Sequence, residues 1–175
     1  MRCSVISLYK LAIMKIVLLC VMMCLWQMSL AQDQYAQDFQ KRYEENIQKE
    51  YINEIYIPVD VEDAVNELDK IANEESRAKL RGADEEVVVE RLSRGLGKWM
   101  MANWNFYEGS RLSHQLKKMG VSKPDDMSTF VIRSYYRHIN EIPLDLEARA
   151  KEIFEKRRKE QEERNKKNKV SIIPN

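Results

Sequence analysis

The side chains in this chain that could carry catalytic or metal chemistry are few. Its two histidines are His114 and His138, and its three cysteines (Cys3, Cys20, Cys24) all lie before residue 25. A zinc site after that point would need both histidines plus carboxylates, and their separation matches no ligand spacing. No metal or cofactor is therefore expected. Asp125-Asp126 with His114 is the best acid/base set and would make a hydrolase. Adjacent helical residues point about 100° apart, however, so the two carboxylates do not converge by themselves. Their plainer use is as anions in a helix's first turn, where they complement its dipole, with one of them free to pair with Arg111 or Arg133. Ser110 or Ser113 with His114 and Asp125 would make a nucleophilic triad, but no strand-turn-helix elbow supports it. Arg111 and His114, three residues apart, share a helix face that could take an anion; the alternative is a solvated basic face. Gly95-Leu96-Gly97 sits mid-helix and lacks the context of a phosphate loop.

These candidates cluster. The segment from Trp99 to His138 holds Trp99, Trp104, Phe106, Tyr107, Phe130, Tyr135 and Tyr136, which is 7 of the 13 aromatics after Ala31. Any binding surface should therefore lie along Trp104 to Arg111 with Asp125, Asp126 and Arg137. The residues expected to form it are Asn103, Trp104, Arg111, His114, Asp125, Asp126 and Arg137, with none assigned a catalytic role.

The elements that must position them read as helical, in an all-α bundle of five to six helices. Tyr35, Phe39, Tyr43, Ile47, Tyr51 and Ile55 recur every fourth position and predict a long N-terminal helix over about residues 33–56. Each step overshoots a turn by about 40°, so the stripe winds around the helix and only Ile47 to Ile57 is expected to dock. Pro58 breaks the chain and Asp60 caps a helix with Val61, Ala64, Val65, Leu68, Ile71 and Ala72 on one face. Residues 74–81 form a short polar turn or helix ending at Gly82. Asp84 caps the next helix, whose buried face is Val88, Leu92, Leu96 and Trp99, with Val89 and Met100 beside it. Gly95 and Gly97 there cost roughly 1 kcal/mol each against alanine, a cost that a close helix crossing would offset. After a loop at Asn103–Gly109, Ser110 caps a helix ended by Gly120. Pro124 opens another at its first position. Pro143 stops it and Asp145 caps a last helix. The expected core is Trp99, Trp104, Val131 and Tyr135 with Leu68 and Leu92. Glu155 to Lys169 contains no apolar side chain and has no face to bury, so it is expected to be a solvated extension or tail.

The N-terminus reads as an export signal. Arg2, Lys10 and Lys15 precede the first acidic residue, Asp33, and Ile16–Trp26 is an unbroken apolar run of 11 residues. A bilayer span needs roughly 20, whereas a signal h-region fits this length. Ser29-Leu30-Ala31 offers small residues for cleavage before Gln32. The alternative is an uncleaved anchor, the only route to the membrane expected here. Met14-Lys15 would also make a compact start. The whole chain carries 29 basic and 28 acidic residues; without residues 1–31 the balance is 26 to 28, which does not suit a general nucleic-acid binder. The resulting division is a signal at 1–31, an N-terminal helix at 32–57, a helical core domain at 58–155 and a charged tail at 156–175.

The string Gly97-x-Trp99, Asn103-Trp104, Gly109-Ser110-Arg111-Leu112, Pro124-Asp125-Asp126-Met127-Ser128 and Tyr135-Tyr136-Arg137, with Asn140, resembles an uncharacterised bacterial family of small helical domains. The resemblance covers roughly Tyr56 to Asn140. It implies that this segment is the heart of one domain and brings no activity with it. Relatives commonly carry a histidine just before the position of Pro124, where this chain has Ser122-Lys123, which weakens any histidine-dependent activity here. The reading that results is a protein exported to the periplasm or beyond, a non-enzymatic module that binds a protein or envelope component. The alternatives are the Asp125/Asp126–His114 hydrolase and a purely structural domain.

Overall fold

A computed structural model describes residues 22–23 and 34–170. The export signal and its cleavage site fall essentially outside those residues. The chain divides into a unit of residues 1–42 and a unit of residues 43–175; the architecture below belongs to the second.

Residues 34–46 are helical (α1). There the expected long helix ends. In place of its last turns, Tyr51–Ile52 (β1) and Ile55–Tyr56 (β2) form an antiparallel hairpin, Tyr51 facing Tyr56 and Ile52 facing Ile55. Asn53 and Glu54 make its two-residue turn at φ +49° and +66°. Both central residues of such a turn need positive φ, which suits asparagine and strains glutamate. The fourfold spacing that reads as helix thus serves a different end: Ile52 and Ile55 pack on the core and Ile57 is fully buried. Glu54→Gly is expected to stabilise the protein by about 0.5–1 kcal/mol, because glycine adopts positive φ freely. A higher urea midpoint with an unchanged slope would show it.

The remaining elements are helical: α2 (Val61–Ile71), α3 (Glu74–Leu80), α4 (Glu85–Leu92), α5 (Lys98–Asn103), α6 (Arg111–Lys118), α7 (Pro124–Ile139) and α8 (Leu146–Val170). Their starts follow local chemistry. Asp60, Asn73, Asp84 and Ser110 each accept a hydrogen bond from the backbone N–H three residues on, and Ser110 and Ser113 cap reciprocally. Pro124 opens α7 at its first turn. Asp145 departs from the expected pattern. Its backbone is left-handed, φ +46°, and its carboxylate accepts from Arg137 at 2.9 Å instead of capping α8.

Between α4 and α5 the helix passes through a π-turn, Ser93–Gly97. A π-turn spends an extra residue, so the buried face arrives about one residue late. Trp99 therefore turns outward and Leu96 stays half-buried against the core, while Gly97 and Met101 turn in beside Met100. This corrects the expected core at Trp99, which is 39% exposed, whereas Trp104 is 2% exposed; Leu92, before the π-turn, packs half-buried against the core. The close crossing expected of these glycines is not what requires them: a Cβ at Gly95 would meet nothing within 4 Å, and one at Gly97 would make only ordinary van der Waals contact. A Cβ there would sit 3.4 Å from Ser128 Oγ and 3.5 Å from Ile132 Cδ1 on α7. Helix α7 is the hub, contributing Met127, Phe130, Val131, Ile132, Tyr135 and Ile139 to the core. It packs against α2, α4, α5, α6 and α8.

Candidate functional site

The polar residues expected to share one surface are dispersed, and each has a local partner. Asn103 Nδ2 donates to Trp99 O at 2.9 Å, closing the end of α5. Trp104 is core. Arg111 Nε donates to Ile57 O at 2.6 Å, and its guanidinium lies 5.0 Å from the Tyr56 ring centroid. Tyr56 in turn donates to Asp63 at 2.7 Å, which also accepts from Val59 N. Arg111 thus fastens the hairpin to α6. His114 Nδ1 is 2.9 Å from the Tyr43 hydroxyl. Burial, then Lys118 and Lys117, holds its pKa below the ordinary histidine value. Asp125 is exposed on the first turn of α7, and its backbone carbonyl accepts from Ser128 Oγ. His138 is exposed.

Asp126 and Arg137 are the two expected residues that meet in one place. They line a groove of about 480 Å³ among α4, α7 and α8, together with Arg133, Arg149 and Arg157. Its floor is Phe130 and Ile153, with Glu85, Glu86, Glu152 and Lys156 around it. Asp126 does not pair with Arg111 or Arg133. It takes a two-pronged contact from Arg157, Nε to Oδ2 at 2.7 Å and Nη2 to Oδ1. Arg133 instead reaches α4, donating to Glu85 at 2.8 Å and to both oxygens of Glu86 at 2.7 and 2.9 Å. Those contacts raise the Arg133 pKa above the usual arginine range, and the hydrogen bond from Arg133 lowers that of Glu86. Arg157 is likewise raised, first by Asp126 and then by Glu160. The extension after Glu155 is therefore not wholly solvated, because Arg157 turns back onto α7.

Arg133, Arg149 and Arg157 were missed although a signal for them exists. Asp126, Phe130, Arg133 and Arg137 recur every three to four residues along α7, as do Arg149, Ile153 and Lys156 along α8. Helical neighbours at this spacing form one stripe. The signal shows two charged stripes without showing that they face each other.

His114 does not line this groove. The acid/base set is thus split between a histidine bonded to Tyr43 and an aspartate bonded to Arg157. Among the described residues no group of three or more histidine, cysteine, aspartate or glutamate side chains is placed to hold a metal ion. No helix among them is long and apolar enough to cross a membrane.

No curated protein and no solved structure matches the chain. Residues 57–139, from the end of the hairpin to the end of α7, match the model of a family described as a domain of unknown function, DUF6794, within the span Tyr56–Asn140 of the motif string.

Proposed function

We propose that the protein is an exported, non-enzymatic binding module of the bacterial cell envelope, processed near Ala31, whose groove among α4, α7 and α8 receives a protein or another envelope component. One observation carries the binding reading. Three helices converge on an apolar floor, Phe130 and Ile153, ringed by four arginines, three of which are fixed by carboxylates. Arginine is favoured at interfaces, and side chains already held in place lose little freedom when a partner arrives. The hydrolase alternative needs His114 and an aspartate at one cleft, and the separate partners of His114 and Asp126 remove that support.

The test is a photo-crosslinking residue placed at Thr129, inside the groove, in the full chain in its native cell. A discrete adduct from position 129, absent from position 79 on the solvent face of α3 and weakened by Lys156→Glu at unchanged melting temperature, is the expected result. Equal adducts from both positions would return the groove to a purely structural role. The mass of the mature N-terminus tests export separately: a chain starting at Gln32 is expected, and an intact Met1 or Met14 would overturn cleavage.

A further inference from the structure

Arg149 is the one groove arginine that forms no close ion pair among the described residues; Glu85 and Asp145 act on it only at longer range. Its Nη1 donates to Ser134 Oγ at 3.1 Å and Leu144 O at 2.9 Å, and its Nη2 to Phe130 O at 3.1 Å. All three acceptors are neutral. The carbon of its guanidinium lies 4.5 Å from the Phe130 ring centroid, which is a contact with a neutral face. The nearby acids are engaged elsewhere: Glu85 and Glu86 with Arg133, Asp126 with Arg157, and Asp145 with Arg137. Among the described residues no carboxylate lies within ion-pair distance of Arg149. Its Nε is buried without a hydrogen-bond partner, and so is the Nε of Arg137, which lines the same groove.

Arg149 is half-buried, and a partly desolvated charge without a close partner is costly. Burial first, then repulsion from Arg137 and Arg133, lowers the Arg149 pKa to about 10, with Glu85 and Asp145 offsetting part of the effect. The arginine nonetheless stays charged at neutral pH.

We infer that the groove binds an oxyanion, a carboxylate or phosphate group, between Arg149 and Arg137, with the exposed Lys156 at its mouth. Guanidinium groups are suited to such groups because their N–H donors match two oxygens at once. Lys156 lies seven residues after Arg149, on the same side of α8. Glu152 stands between them, exposed and lining the groove, and opposes anion entry. The α8 side of this site lies beyond residues 57–139. The inference rests on the groove being a binding site and specifies what it binds.

The probe is inorganic phosphate, titrated into the processed full-length chain against chloride at matched ionic strength. The expected result is a saturable change in backbone amide signals around Ser134 and Arg149 together with a raised melting temperature. Lys156→Gln, an exposed change, should weaken phosphate binding several-fold, and Glu152→Gln should tighten it. Arg149→Lys keeps the charge but loses the two-pronged geometry and should weaken binding about tenfold; should that variant fail to fold, the two exposed variants still decide. Equal responses to phosphate and chloride, or equal phosphate affinity in wild type and Lys156→Gln, would overturn the site. Co-sedimentation with phosphatidylglycerol but not phosphatidylcholine vesicles would assign the oxyanion to a lipid headgroup. Phosphate binding without co-sedimentation would assign it to a soluble ligand, and both outcomes uphold the site. A groove-specific crosslink at position 129 without phosphate binding would overturn this inference alone. Phosphate binding without the crosslink would overturn only the macromolecular partner.

Discussion

Trp104→Ala is expected to lower the unfolding free energy by about 3–5 kcal/mol, and Trp99→Ala by about 1–2 kcal/mol. The two tryptophans touch edge to face, ring centroids 5.7 Å apart, yet their burial is opposite. Trp104 is 2% exposed and also contacts Phe106 at 6.4 Å. Removing it opens a large cavity in the core. Trp99, at 39% exposed, loses mainly one aromatic contact and part of its covered surface. Typical domains have about 5–15 kcal/mol in all, so the first change threatens the fold and the second does not. Urea unfolding of both variants decides the point. Equal losses would mean that the π-turn Ser93–Gly97 does not set the helix face as described.

That pair of residues also shows where sequence reasoning reaches and where it stops. Helix starts at Asp60, Asp84, Ser110 and Pro124 were legible because a cap acts on atoms only three residues away. The mostly helical class and the central place of Tyr135 and Val131 were legible from periodicity. The face of the helix before Asn103 was not. A π-turn leaves no strong composition signal, and one extra residue moves every later position around the axis. The hairpin at Tyr51–Tyr56 was hidden for a related reason: its turn is Asn-Glu, which lacks the glycine that normally announces positive φ. At the site, residue types with chemistry were easy to pick out, but their partners lie far along the chain. Arg157 meets Asp126 and Arg133 meets Glu86 only because α8 and α4 dock on α7. The structural partner of Arg111, Ile57 O, was not legible because it lies 54 residues away.

Gly109→Ala is expected to cost about 2–4 kcal/mol, combining positive-φ strain with overpacking. Gly109 is buried and lies at φ +100°. A Cβ there would sit 2.2 Å from Tyr43 Cδ2 and 2.7 Å from Cε2, distances no real contact tolerates. The backbone has little room to yield, because Gly109 N donates to Asn105 O at 3.0 Å and Asn105 Nδ2 donates back to Gly109 O at 3.0 Å. Tyr43 must therefore move. Moving it breaks the 2.9 Å contact with His114 and lifts its ring from Lys117, whose ammonium lies 4.5 Å from the ring centroid. The two contributions separate in a double-mutant cycle. In a Tyr43→Ala background the collision is gone, and Gly109→Ala should cost only the strain, about 1–2 kcal/mol. An equal cost in both backgrounds would mean that conformation alone demands this glycine. A smaller cost without Tyr43 would mean that the glycine also makes room for the tyrosine ring, so that this part of the Gly109-Ser110-Arg111-Leu112 motif serves packing rather than binding.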